Sequence, residues 1–186
     1  MVSFSLHKAD ASSDEDDKRR AFAAVYRQHV DAVYRYVLIR VGSQADAQDV
    51  TAQTFVSALD HFYAYRGEAE IAAWLLGIAR HKVADHFRAK GRRAAVSLSD
   101  DDRLTDETAA PEETVILRLQ IERAAAALNA LAPDRAEALR LHVFGGLSIK
   151  EAAAVMGKHD SAVKMLISRG LADLRTRLNV SEREES

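Results

Sequence analysis

Cysteine is missing from all 186 residues, so neither a disulfide framework nor a thiolate metal site can hold this fold, and a reducing compartment suits it. Proline occurs twice and glycine eight times. So few interruptions argue against a turn-rich sheet protein and favour long helices. No stretch approaches the roughly 18 consecutive apolar residues of a membrane span. Met1 is not followed by a basic stretch and an apolar run, as a secretion signal would be. The expectation is a chain that is neither secreted nor membrane-inserted and works in the cytoplasm. Catalytic signatures are also lacking: there is no glycine-rich phosphate loop and no strained serine elbow. His81, Asp85 and His86 could offer metal ligands, but no second cluster completes a coordination shell. No enzyme activity, metal or cofactor is expected.

What is present is apolar and helix-forming. The hydrophobic fraction is 48%, dominated by alanine and leucine, both strong helix formers. Residues 1–17 read as a disordered acidic leader. From Arg19 onward Phe22, Val25, Tyr26, Val30, Val33, Tyr34, Val37, Leu38 and Val41 repeat at helical spacing, one face of a helix of about six turns. Gly42 and Ser43 stop it. A second helix follows with Val50, Phe55, Val56, Leu59 and Phe62 inward. After a loop over Tyr63 to Glu70, a third carries Ile71, Trp74, Leu75, Ile78, Val83 and Phe87 into Gly91-Arg92-Arg93. Three such helices can bury one another as a domain over residues 18–93. Residues 94–113 lose the period and turn polar and acidic, the composition of a flexible linker that lets two domains move independently.

Residues 114–179 then read as a second all-helical unit, with 180–186 as a tail. Val115, Leu119, Ala124, Ala125, Leu128 and Leu131 mark one helix, and Pro133 suits the first turn of the next, which ends at Phe144-Gly145-Gly146. Ser148-Ile149-Lys150-Glu151 is a capping box. It opens a short helix burying Ile149, Ala152, Ala153 and Met156, stopped by Gly157. A longer helix starts near Asp160 or Ser161, with Val163, Ile167, Leu171, Leu174 and Leu178 inward. A short capped helix, a glycine turn and a longer helix match a helix-turn-helix. The architecture expected is all-α, two small helical domains joined by a flexible linker.

Net charge is −2, which on its face disfavours a polyanionic partner. The charges are segregated, however, and local fields decide attraction. Acidic residues gather at Asp14 to Asp17 and from Asp100 to Glu113, basic ones between Arg80 and Arg93 and along the last helix. The outer face of that helix offers Ser161, Lys164, Met165, Ser168 and Arg169, types that reach phosphates and base edges in a major groove. The plainer alternative is a helical hairpin with solvated charges. On the third helix His81, Asp85, Arg88 and Arg92 form a stripe with Arg80, Lys82, Lys90 and Arg93 around it. Phe62, Tyr63 and Tyr65 lie just before. Rings beside cations suit single-stranded or melting DNA, although a charge run can equally be a solvated face. Asp46-Ala47-Gln48-Asp49 opens the second helix, where carboxylates either complement the helix dipole or dock a basic partner.

Taken in order, these pieces resemble the extracytoplasmic-function sigma factors, the smallest class of the bacterial sigma family. The carriers are Asp46-Ala47-Gln48-Asp49-Val50 with Thr54-Phe55, then Tyr65-Arg66-Gly67-Glu68 with Ala73-Trp74-Leu75, Ile78-Ala79-Arg80 and Asp85, then the helix-turn-helix. The likeness spans about residues 20–178 apart from the linker. It implies a sigma region 2 bundle and a sigma region 4 helix-turn-helix, with core RNA polymerase and promoter DNA as partners and an anti-sigma factor as regulator. Asp46, Asp49, Gln53 and Phe55 would lie on or support the polymerase-binding surface. Phe62, Tyr63, Tyr65, Arg66, Arg80, His81, Arg88, Arg92 and Arg93 would read the minus-ten element. His159, Ser161, Lys164, Met165, Ser168 and Arg169 would read the minus-thirty-five element. His81 stands where the family commonly has asparagine, and Met165-Leu166 where it has serine-arginine. Two other functions fit the same residues: a sigma mimic that titrates an anti-sigma factor, or a helix-turn-helix regulator acting through residues 114–179 alone.

Overall fold

A computed structural model describes residues 6–67, 69–96 and 112–184, and the side chains of 15–67, 69–92, 115, 116 and 119–177. Seven α-helices make up the described residues: α1 Leu6–Val41, α2 Gln44–Phe62, α3 Ile71–Val96, α4 Glu112–Asn129, α5 Pro133–Leu139, α6 Ile149–Met156 and α7 Asp160–Glu184. Helix α5 continues into a π-helical turn over Arg140–Phe144, closed by the Gly145 N–H on the Arg140 carbonyl at 2.9 Å.

Local chemistry sets most helix ends. Gly42, at φ +73°, terminates α1, and the Ser43 hydroxyl accepts the Asp46 N–H to cap α2. Pro133 occupies the first turn of α5. The α1–α3 bundle closes over Val33, Tyr36 and Val37 from α1, Val50, Thr54 and Phe55 from α2, and Leu75, Leu76 and Val83 from α3, all buried. Phe22 and Tyr26 add edge-on ring contacts to Phe62 and Phe55 at centroid separations of 5.2 and 4.8 Å. In the C-terminal half Leu128, Leu139, Leu141, Leu147, Ala152, Ala153, Val163 and Ile167 form the corresponding core.

Several expectations are corrected here. The leader is helical from Leu6, because its acids need not repel the fold: Glu15 and Asp16 pair with Arg19, and Asp17 with Arg20, at helical spacing. Helix α3 runs through Gly91 to Val96 and α4 begins at Glu112, which shortens the linker; its remainder lies outside the described residues. The tail is helical as far as Glu184. Val56, Leu59, Phe87, Val115, Leu119 and Leu171, placed inward by periodicity, are exposed. Helices α1 and α3 cover only one face of α2, so on that helix a wider apolar stripe than the neighbours can hide is left in solvent.

The two halves also pack directly on each other: α1 meets α4 and the π-turn, and α3 meets α6. A Cβ on Gly145 would lie 2.6 Å from Leu76 Cδ1 across this contact and 2.7 Å from the Leu141 carbonyl oxygen. Only glycine fits there. Burial predicts that Val50→Ala lowers unfolding free energy by about 2 kcal/mol, whereas Val56→Ala changes it by no more than about 0.5 kcal/mol. Denaturant unfolding of the full chain with both substitutions separates core from surface, and equal losses would contradict this packing.

Candidate nucleic-acid interface

The C-terminal helix pair is positioned by its caps. Ser148 Oγ accepts the Glu151 N–H at 3.2 Å while the Glu151 carboxylate accepts the Ser148 N–H at 2.7 Å. Gly157 adopts φ +63° and the Lys158 N–H returns to the Ala153 carbonyl at 3.0 Å, the hydrogen bond that reverses a chain after a left-handed residue. Lys158 pairs with Asp134 at 2.9 Å, and Arg135 with Asp173 at 2.5 Å, fixing the turn and α7 to α5. Gly170 lets α7 approach Leu139, whose Cδ1 lies 2.8 Å from where a Cβ would stand. With Val163 and Ile167 directed into the core, His159, Ser161, Lys164, Met165, Ser168 and Arg169 all emerge exposed on one side. Neither Lys164 nor Arg169 has an ion-pair partner among the described residues.

The α3 face and the loop before it are less uniform. Tyr63 is exposed, whereas Phe62 is half-buried against Phe22. Tyr65 lies at 4.9 Å and 34° to Trp74, and its hydroxyl donates to the Ala69 carbonyl. Burial and then the Glu70 carboxylate raise the Tyr65 phenol above its ordinary value. All three rings are thus engaged within the fold, Tyr63 least: it meets the Phe62 ring at 6.3 Å and the Lys18 ammonium at 5.4 Å. Arg66, His81, Arg88 and Arg92 are exposed, with Arg88 paired to Asp85; the Arg93 side chain lies outside the described residues. Arg80 behaves differently: its Nε lies 3.4 Å from Glu137 and its Nη1 donates to the Val155 carbonyl at 3.3 Å.

On α2, Asp46, Asp49 and Gln53 border a cleft of about 530 Å³ with Asp85, His86, Arg88, Lys90 and Arg92 of α3. Gln53 donates to Asp49 at 2.8 Å, and His86 and Lys90 approach Asp46 at 3.5 and 3.8 Å. Phe55, also a candidate partner residue, is 5% exposed; it supports this surface from beneath. Among the described residues no cluster of three or more histidine and acidic side chains could hold a metal, and no helix is long and apolar enough to cross a membrane.

Residue inspection of the sequence missed one group, the set Tyr36, Arg40, Glu137 and Arg140. Glu137 and Arg140 are 5% and 4% exposed. Burial, then the like charge of Arg40, lowers the Arg140 guanidinium from its ordinary value, and Glu137 opposes this. The available signal was a charge pair set among Ala136, Ala138, Leu139 and Leu141.

Comparison with known proteins places this geometry. Residues 25–93 match the sigma-70 region 2 family and residues 121–174 the sigma-70 region 4 family. The ECF RNA polymerase sigma factor SigD of Mycobacterium tuberculosis is 33% identical over 162 residues, 84% of this chain and 76% of that protein. The chain belongs to the ECF sigma factors. BldN of Streptomyces coelicolor, another ECF sigma factor, is 37% identical over 83% of the chain, although the chain spans only 59% of BldN's length. The solved structure of CnrH in complex with the cytosolic domain of CnrY matches with a TM-score of 0.68 and 26% identity, covering 87% of this chain and 90% of that one. The sigma factor RpoE from Bartonella quintana, solved with the anti-sigma factor NepR, shares the fold with a TM-score of 0.66 at 21% identity. In this ECF sigma factor the cap of α6 carries a testable linkage. Hydrogen bonds from Ser148 depress the Glu151 carboxyl below its ordinary value. A depressed acid stabilises the fold above its unfolded value of about 4.3, and that contribution is lost as pH falls through the folded value. The melting-temperature deficit of Glu151→Ala should therefore be largest at neutral pH and shrink below about pH 4. A pH-independent deficit would show that the cap is not ionic.

Proposed function

We propose that this ECF sigma factor brings core RNA polymerase to promoters by dividing three tasks among three helices. The α2 surface of Asp46, Asp49 and Gln53, backed by Phe55, docks polymerase. The loop with Phe62, Tyr63, Tyr65 and Arg66, together with Arg80, His81, Arg88, Arg92 and Arg93 of α3, takes the minus-ten strand. His159, Ser161, Lys164, Met165, Ser168 and Arg169 on α7 enter the minus-thirty-five groove. The observation that carries the reading is one chain matching both region 2 and region 4, with an exposed cationic face in each. The chain works in the cytoplasm and catalyses nothing itself; polymerase supplies the chemistry. An anti-sigma partner fits the same reading, since CnrH was solved with a cytosolic partner domain.

Run-off transcription with core polymerase and a promoter library tests this directly. The chain should yield transcripts that core alone does not. Lys164→Ala with Arg169→Ala should cut transcription at least about tenfold from promoters that need a minus-thirty-five element, since each lost charged contact costs about 1–3 kcal/mol, while core binding persists. Asp49→Ala should weaken core binding and leave α7's DNA preference unchanged. No transcript above core alone would defeat the reading, and a stand-alone regulator would instead bind duplex DNA without polymerase, with steep salt dependence.

A further inference from the structure

We propose that Glu137 is a latch, holding the two halves of the isolated chain closed and withdrawing Arg80 from the minus-ten surface. The second part rests on the assignment of Arg80 to minus-ten DNA above; the first does not. Glu137 belongs to α5, yet its partners come from the other half. Tyr36 of α1 donates to it at 2.8 Å, Arg40 of α1 at 2.7 Å, and Arg80 of α3 stands 3.4 Å away. Further bonds cross the same seam, from Arg80 to the Val155 carbonyl and from Arg35 to the Phe144 carbonyl at 3.4 Å. Leu76 and Gly145 close it without room for a methyl group.

The physics makes this seam two-state. A buried carboxylate is tolerated only while its partners are in place, and removing one partner leaves an uncompensated charge. Arg140 lies beside the cluster, bonded to Asn129 at 2.6 Å, with its Nε lacking a hydrogen-bond partner, as does Arg40 Nε. Glu137 therefore separates Arg40, Arg80 and Arg140, three cations that would otherwise face one another. When the halves part, Glu137, Arg40 and Arg80 exchange these pairings for water, whereas in the closed form the three cations depend on Glu137. While the latch is shut Arg80, its side chain 44% exposed, has its guanidinium held by Glu137 and the Val155 carbonyl, and a ligand that needs the open form binds with its affinity reduced by the open fraction.

The lack of cysteine permits a clean test in the full chain. Spin labels on Ala84→Cys in α3 and Ala126→Cys in α4, both exposed sites, report the separation of the halves. The unsubstituted latch should give one narrow distance. Glu137→Ala should raise the open-to-closed ratio roughly tenfold or more, Arg40→Ala and Tyr36→Phe should shift it less in the same direction, and single-round transcription should half-saturate at correspondingly lower concentrations of these variants. Helix content is followed by circular dichroism, and if Glu137→Ala loses helix, Arg40→Ala and Tyr36→Phe carry the test. A broad distribution in the parent, or unchanged distances in the variants, overturns the latch. Open variants that initiate no better than the parent overturn the withdrawal of Arg80. If neither parent nor variants transcribe, the sigma reading fails, while the distances still decide the latch.

Discussion

A helix of this size can bury one stripe of its surface, and the choice of stripe decides what the opposite side presents. On α3, Leu75, Leu76, Ala79 and Val83 are buried, so His81, Asp85, Arg88 and Arg92 face outward. On α7, Val163, Ile167 and Gly170 point inward and Lys164, Met165, Ser168 and Arg169 outward. Each buried valine or leucine contributes about 1.5–3 kcal/mol, whereas moving an exposed charge around a helix changes stability by about 0.5 kcal/mol or less. The core therefore sets the register of both cationic faces. Rotating either helix to improve its outer surface would sacrifice several times more than it gained.

The seam between the halves follows a different rule. It is built from polar groups and close backbone approach as well as aliphatic contact, with Gly145 against Leu76 and Glu137 among arginines. Buried ion pairs contribute little net stability because desolvation offsets attraction, yet they are unforgiving about which partners they accept. Burial, followed by the Glu137 charge, raises the Tyr36 phenol far above its ordinary value, with Arg40 opposing; Tyr36 thus acts as a fixed neutral donor. Such a seam is specific in alignment without being strong. That combination suits a joint that aligns two helical units whose buried side chains run on as one apolar cluster.

Legibility in the sequence tracks the range of the interaction. The Ser148–Glu151 box, the Gly157 turn, the stop at Gly42 and Pro133 in the first turn of α5 were all readable, because each depends on residues within four positions. The exposure of Lys164, Met165, Ser168 and Arg169 was readable for the same reason, periodicity directing Val163 and Ile167 inward, although it also placed the exposed Leu171 there. The exposure of Val56 and Leu59 was not, because apolar spacing says that a face is greasy without saying whether a neighbour covers it. The helical leader was misjudged because acidity was weighed without Arg19 and Arg20, which neutralise it one turn later. The pairing of Arg80 was not readable for a longer-range reason: its partner lies 57 positions away in sequence, at Glu137.

Ion pairing within the fold reconciles a net charge of −2 with the DNA-facing role proposed for α7. Many of the acids are occupied within the fold: Asp46 with Lys90, Asp85 with Arg88, Asp134 with Lys158, Asp173 with Arg135, and Glu137 with Arg40. A paired carboxylate and cation form a dipole whose field decays faster than that of a lone charge, and salt screens what remains within about 10 Å. Lys164 and Arg169, lacking such partners among the described residues, keep the full field of a monopole on the side that faces outward. A phosphate approaching α7 therefore meets unneutralised cations first, and the chain's total charge, summed over pairs it cannot feel, is a poor guide to what it binds.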